Sequence, residues 1–325
     1  MAAFPPDPAG TASDETPRLL RGSWRARLVS RAVRRFLRPR SVQHPDVASS
    51  RELMARLVIP PPFRTRAEPA RIGGVEGEWV LARAESDRTL LYLHGGAYAV
   101  CSPATHRQVT GAFARRGFRV FAPDYRLAPE NPYPAGLDDV VAAYRGLLDA
   151  GTVPARIAVA GESAGGGLSL ALLVRLRDAG LPLPASAVLF SPWADLSLAG
   201  ESLVSNDGLD PMFRAIHAGW VASLYLGGAD PRDPYVSPVF ADLTGLPPLL
   251  IHVGETELLL DDARRIAARA AAADVAVALS VWRDVVHGWQ LLPAILPEAR
   301  RSIDEAAAFM RAAMAPAEPG RQEAA

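Results

Sequence analysis

The sequence predicts an α/β fold: a mostly parallel sheet with helices on both faces. Three observations carry this. Short, continuous apolar runs of strand length recur along the chain. Segments with helical apolar spacing alternate with them, the pattern of parallel strands joined by crossover helices. The chain has 325 residues, 49% of them hydrophobic, enough for one large core with a small subdomain.

The elements follow in order. Residues 1–17, rich in Pro, Ala, Asp and Thr, are expected to be disordered. The stretch RLLRGSWRARLVSRAVRRFLR, residues 18–38, sets Arg among apolar residues at helical spacing, with Leu20, Trp24, Leu28 and Phe36 on one face. A basic amphipathic helix can lie on an anionic membrane surface or pack its apolar stripe on the protein body. Packing is the expectation, because one short helix is a weak membrane signal. After Pro60-Pro61-Pro62, residues Arg71–Ala82 read as a hairpin. Then come a buried strand over Thr89–Gly95, a helix over 104–116 and a strand over Phe118–Tyr125. A helix over 135–149, a strand over Arg156–Glu162, a helix over 164–179 and a strand over Ala185–Pro192 follow. Residues 200–227 break the alternation; Asp210-Pro211 opens a helix there, and the stretch reads as an insertion over the strand ends. A strand over Pro247–Gly254, a helix over 261–273, a strand over Val275–Trp282 and a helix over about 298–313 complete eight strands.

Composition excludes several classes. Formal net charge is zero, so nothing points to nucleic acid or to acidic partners overall. Every one of the 35 basic residues is Arg. Cys101 is the single cysteine, so no intramolecular disulfide or cysteine metal site is expected, and it reads as a small packed apolar residue. The opening Met-Ala-Ala-Phe-Pro-Pro-Asp-Pro has no apolar signal region, and Arg34-Arg35-Phe36-Leu37, which resembles a twin-arginine export signal, is followed by the polar, Pro-broken Arg38-Pro39-Arg40-Ser41 rather than an apolar stretch. No run approaches the roughly 18 apolar residues of a membrane span. The expectation is a cytoplasmic protein without stable membrane insertion, metal or organic cofactor.

The chemistry centres on Gly161-Glu162-Ser163-Ala164-Gly165. Gly-x-Ser-x-Gly alone is a weak signal. Here a buried strand runs straight into it and a helix follows at once, which places a serine on a tight turn with its hydroxyl above the sheet. The helix N-terminus behind it favours developing negative charge. A phosphate-binding turn is the competitor, but its Gly-Lys-Ser/Thr and Gly-x-Gly-x-x-Gly patterns are absent at this turn. A nucleophilic serine needs backbone N–H donors for an oxyanion. Gly95 and Gly96, after the strand ending in His94, together with Ala164, are the candidate donors. His94 is expected to hold that loop rather than act as the base.

The base should be a late loop histidine. His252 lies inside a strand, His217 in the insertion, His106 early in a helix and His44 in a Pro-rich linker. His287 alone follows the last strand. The third group, which orients the imidazole, should come from Gly254-Glu255-Thr256-Glu257-Leu258-Leu259-Leu260-Asp261-Asp262. Asp261 and Asp262 suit the first turn of the next helix, leaving Glu255 and Glu257.

These motifs resemble the hormone-sensitive-lipase branch of the α/β-hydrolases, the bacterial carboxylesterases of that type. The resemblance covers roughly residues 70–315. It rests on His94-Gly95-Gly96, Asp124-Tyr125-Arg126-Leu127-Ala128-Pro129-Glu130, Gly161-Glu162-Ser163-Ala164-Gly165-Gly166, Ser191-Pro192-Trp193 with Asp195-Leu196, and His287-Gly288. It implies an α/β-hydrolase fold and a serine carboxylesterase of short- to medium-chain esters. The family's acid sits in an acid-x-Leu-x-Asp pattern, which Glu257-Leu258-Leu259-Leu260-Asp261 fits, so the implied triad is Ser163, Glu257 and His287, with Glu255 the second choice. A cap from residues 18–55 and 200–227 over a catalytic domain spanning 56–325 is implied, with Tyr98, Trp193, Leu209, Met212 and Phe213 lining the acyl pocket. Asp124 is implied to be a structural hydrogen-bonding group. The resemblance allows a homodimer through about 275–313. Three positions depart from the family pattern: Thr256 stands where many relatives carry Asp, Glu162 replaces the commoner Asp, and Ala97 replaces Gly, which narrows the pocket wall. A lactone or amide hydrolase would use the same triad. A hormone-receptor-like binding protein on this fold would lack the late histidine, and His287 argues against it.

Overall fold

The structure is a computed structural model that describes residues 18–36, 38, 46–56 and 58–314. The segment expected to be disordered, 1–17, and His44 lie outside the described residues. Nine strands form one sheet: β1 Arg18–Leu20, β2 Thr65–Ile72, β3 Val75–Ala82, β4 Thr89–Leu93, β5 Arg119–Pro123, β6 Ile157–Glu162, β7 Ser186–Phe190, β8 Leu249–Gly254 and β9 Val277–Trp282. Their order is β1-β9-β8-β7-β6-β4-β5-β3-β2. The hairpin β2–β3 runs antiparallel and the remaining pairs, apart from β3 with β5, are parallel. Strands β4, β6, β7 and β8 are buried at every residue, because helices cover both their faces. The edge strand β2 alternates between exposed and half-buried residues along much of its length, as a strand with one solvated face should.

The helices are α1 Trp24–Phe36, α2 Val47–Arg56, α3 Arg107–Ala114, α4 Ala135–Asp149, α5 Ala164–Asp178, α6 Ser202–Ser205, α7 Ala218–Leu226, α8 Leu260–Ala272 and α9 Pro297–Ala313. Helix α4 turns Leu137, Val140, Tyr144 and Leu147 inward, one helical face spaced three and four residues apart. It packs with α5 and α8 against one side of the sheet. The apolar faces of α3 and α9 (Val109 and Phe113; Ile303, Ala306 and Met310) fill the other side.

Two expectations need correction. The sheet has nine strands, not eight. Arg18–Leu20, read as the start of a helix, instead pair in parallel with Ser280–Trp282 of β9. The Arg283 N–H donates to the Leu20 carbonyl (2.7 Å), and Gly22 lies close against the Arg283 carbonyl, where a Cβ would be 2.5 Å from it. The second correction concerns α1. It packs on the body, but through Ala26, Val29 and Val33 against Trp282, Val285 and Trp289. Of the four residues expected to face inward, Leu20 is buried in β1, while Trp24, Leu28 and Phe36 stand exposed.

The order of strands places the site. From β4 the chain crosses to β5 on one side, and from β6 it crosses to β7 on the other. Between β4 and β6 the connections diverge, opening a crevice at the carboxyl ends of the strands. Ser163 directly follows β6 and His94-Gly95-Gly96 follow β4. The two segments touch backbone to backbone: a Cβ at Gly165 would lie 2.0 Å from the Leu93 carbonyl oxygen, and one at Gly161 2.3 Å from the Gly165 oxygen. Gly165→Ala is therefore expected to lower stability by more than the ~1–3 kcal/mol of ordinary overpacking, read as the midpoint shift in urea unfolding. An unchanged midpoint would show that the two segments can separate freely.

Candidate active site

Ser163 has φ 57° and ψ −123°, a conformation costly for a residue with a Cβ. Neighbours impose it. The Ser163 N–H donates to the Phe190 carbonyl (2.9 Å), and the Ser163 carbonyl accepts from Trp193 N–H (2.9 Å) and Gly167 N–H (3.0 Å). The serine thus heads α5 with its backbone fully engaged, and the residue is 9% exposed.

Past the end of β8, Glu257 is fully buried. One carboxylate oxygen accepts from the Ser191 hydroxyl (2.7 Å) and the Gly254 N–H (2.7 Å). The other lies 2.6 Å from Nδ1 of His287. An ionised carboxylate only accepts, so Nδ1 carries the proton and Nε2 is left as the basic nitrogen. Burial works against charging His287, but the adjacent Glu257 carboxylate outweighs it and holds the imidazole pKa above 6.5. Glu255 points elsewhere: its carboxylate pairs with Arg283 at 3.1 Å and is substantially exposed. Asp261 and Asp262 do fall in the first turn of α8. Asp262 is buried, accepts from Ala194 and Asp195 N–H groups, and burial pushes its carboxyl up to about 7.

The remaining histidines sort as the sequence suggested, with one addition. His94 stacks on Tyr125 (centroids 4.3 Å), contacts the Gly95 carbonyl (2.7 Å) and is kept neutral by burial, which lowers its pKa to about 3. His252 is a core residue at 2.8 Å from the Ser302 hydroxyl. The addition is His106. Its Nε2 lies 2.5 Å from the Glu162 carboxylate and its Nδ1 3.2 Å from the Ser102 carbonyl. Burial opposes its charge, yet Glu162 raises its pKa. In the sequence His106 looked like a helix-start residue. Only the packing of α3 under the β4 loop shows its partner.

Glu162 corrects the expected oxyanion donors. Its carboxylate accepts from the Tyr92 hydroxyl (2.7 Å) and from the N–H of Gly95 (2.5 Å). The Gly95 N–H is therefore spent, and Gly95 drops out as a donor. Gly95 has another role: a Cβ there would lie 2.3 Å from the Glu162 carboxylate. No hydrogen bond among the described residues takes the N–H of Gly96 or of Ala97. Ala97 and Tyr98 both have positive φ, 55° and 60°, so the loop curls back and leaves these amides free.

The expected pocket residues divide. Tyr98 is buried, stacked on Tyr225 (4.0 Å), with its hydroxyl on the Trp193 carbonyl (2.8 Å). It and Trp193 form a packed wall behind the serine. Phe213 sets its ring edge-on to His287, centroids 4.9 Å apart. Met212 is half-buried and Leu209 half-exposed beside it. Asp210-Pro211, read in the sequence as opening a helix, opens none, since the next α-helix, α7, begins at Ala218; Asp210 instead anchors this segment. It is fully buried and accepts from the N–H groups of Met212 (2.7 Å), Phe213 (2.9 Å) and Leu258 (3.0 Å), the last one residue beyond Glu257. The insertion thereby holds to the acid's own loop. Among the described residues no group of three or more His, Cys, Asp and Glu side chains could hold a metal ion.

A strained serine after a buried strand, a carboxylate-bound late histidine and a glycine-rich loop at the switch point invite comparison with known proteins. A model of the α/β-hydrolase fold family matches residues 90–291. An acetyl-hydrolase of Streptomyces hygroscopicus is 44% identical over 265 residues, 81% of this chain and 87% of that protein. Among solved structures, an esterase of the bacterial hormone-sensitive-lipase family superposes with a TM-score of 0.85 at 43% identity, covering 90% of this chain and 99% of that one. The chain belongs to the hormone-sensitive-lipase branch of the α/β-hydrolases. An esterase/lipase from an uncultured bacterium gives 0.87 at 40% identity, covering 90% and 100%.

Because Glu162 accepts from three donors, Glu162→Gln must leave one of them facing an amide N–H. The variant is expected to lose ~3–5 kcal/mol, the scale of a broken buried pair, in urea unfolding. Its kcat should fall with KM little changed, because the loop bearing the Gly96 and Ala97 amides loses its tether. Wild-type kcat in a folded variant would sever Glu162 from the loop's geometry.

Proposed function

We propose that this carboxylester hydrolase is a serine esterase acting on short- to medium-chain esters through an acyl-enzyme on Ser163. The observation that carries the reading is the 2.6 Å contact of His287, which follows β9, with the buried Glu257 carboxylate, which follows β8, at the same carboxyl edge of the sheet as Ser163 after β6. His287 Nε2 takes the proton as Ser163 Oγ attacks the ester carbonyl. The free amides of Gly96 and Ala97, with the Ala164 N–H at the head of α5, stabilise the oxyanion. The carbon–oxygen bond to the alcohol breaks as His287 returns the proton to it. Water then attacks the acyl-serine, gives its proton to His287, and the acid leaves as Ser163 recovers it. The packed Tyr98–Trp193 wall supports a short acyl pocket, and Phe213, Met212 and Leu209 cover the histidine side. In this reading α1, α2 and the 200–227 insertion form the cap; Arg34 of α1 already bonds the carbonyls of Gly208 and Leu209.

Hydrolysis of p-nitrophenyl acetate, butyrate, octanoate and palmitate tests the proposal. Turnover should be highest on the short chains, and Ser163→Ala should lose roughly 10⁴-fold or more. Near wild-type turnover in Ser163→Ala would overturn it. The pH profile tests the base. Only the neutral imidazole accepts the serine proton, and Glu257 raises its pKa, so the rate should fall with decreasing pH through a midpoint above 6.5. Glu257→Gln removes the charge that raises it: kcat should drop by about 10⁴-fold, with the limb moved to lower pH. Glu255→Gln should leave both unchanged.

A further inference from the structure

Helix α1 has two apolar faces. One, Ala26, Val29 and Val33, packs on the body. The other is the ridge of every fourth residue, Trp24, Leu28, Ala32 and Phe36, and it faces solvent: Trp24 is 64%, Leu28 57% and Phe36 63% exposed. A ridge along the whole 13-residue helix spans about 18–20 Å at 1.5 Å per residue. Large exposed Trp, Leu and Phe in one row are unusual for a surface that meets only water.

The charge around the ridge is one-sided. The helix carries Arg25, Arg27, Arg31, Arg34 and Arg35 and no acidic residue. Arg34 is committed to the carbonyls of Gly208 and Leu209. The other four make no ion pair with a carboxylate among the described residues. Arg25 and Arg35 instead lie over the rings of Trp24 and Phe36, at 5.4 and 5.8 Å. The chain as a whole has zero formal net charge, so this density is local.

We propose that the outer face of α1 is a docking surface for an anionic lipid bilayer. Trp, Leu and Phe enter the boundary between headgroups and acyl chains, and the flanking guanidiniums hold the lipid phosphates, which their planar donor fork fits. A second copy of this face is a poor occupant, because a two-fold contact would set the unpaired arginines of one helix against those of the other. No helix among the described residues is long and apolar enough to cross a membrane, so the contact lies on the surface. Docking sets the bilayer beside the insertion that carries Phe213 over His287.

Sedimentation of the full chain with phosphatidylcholine vesicles, with and without about one third phosphatidylglycerol, tests this. Binding should be at least about 10-fold tighter to the anionic vesicles and weaken strongly between about 50 and 500 mM NaCl. The triple variants Trp24→Ala/Leu28→Ala/Phe36→Ala and Arg25→Glu/Arg31→Glu/Arg35→Glu should each lose it. All six side chains are exposed, so the variants should melt as the wild type does, which circular dichroism checks. No binding to anionic vesicles at low salt overturns the proposal. So does binding that survives in both variants, or a wild-type dimer in solution that the variants dissociate without any vesicle binding.

Discussion

The site depends on how closely two backbones can approach at the carboxyl ends of β4 and β6. Gly161 and Gly165 present no side chain to the Leu93 carbonyl and to each other, so the serine turn nests directly against the loop that follows β4. Ser163 sits on this turn in its strained conformation, and the Gly96 and Ala97 amides, which no hydrogen bond among the described residues takes, lie in the facing loop. The strain is held by ordinary hydrogen bonds to Phe190, Trp193 and Gly167, spread over β7 and α5. Interlocking bonds of this kind keep a costly backbone in place where a single contact would not.

Around this point the protein uses the same pair of groups twice, to different ends. Glu162 with His106 and Glu257 with His287 are both buried carboxylate–imidazole pairs. In the first, both imidazole nitrogens meet acceptors and the carboxylate holds three donors, so nothing remains to exchange a proton. It is a tether for the loop. In the second, Nδ1 meets the carboxylate and no hydrogen bond among the described residues takes Nε2. The chemistry of the two pairs is set by what surrounds the far nitrogen, not by residue type. This is also why the Gly95 amide, adjacent in sequence to the free ones, is closed to a substrate: it serves the tether.

The N-terminal segment binds the body through both strand and helix. Leu20 enters the sheet edge, and α1 covers Trp282 and Trp289 with small side chains, Ala26 among them. Small residues inward leave the large ones outward. The inner face carries the packing of α1 on the body, and the outer Trp, Leu and Phe take no part in it.

The alternation of apolar runs identified strands β3 to β9 and the main helices of the sheet layers within a few residues, because strands covered on both faces must be continuously apolar, but the hairpin read over Arg71–Ala82 caught only the end of the half-exposed β2, which spans Thr65–Ile72. Ser163 and His287 were singled out by motif and chain order, which left Glu255 and Glu257 both open as the acid; the choice of Glu257 and the ester chemistry came from the family resemblance. Tertiary structure alone decided the rest. Arg18–Leu20 carry no strand signal of their own; they extend because β9 offers an unpaired edge. Which amides face the crevice depended on where the Glu162 carboxylate reaches, 67 residues from Gly95. Asp210 and His106 gained their parts from partners 48 and 56 residues away. Periodicity and local motifs are properties of neighbouring residues, and the sequence alone determined what depends on them. Hydrogen-bond partners and the outward face of α1 are properties of folded proximity, and only the assembled chain could settle them.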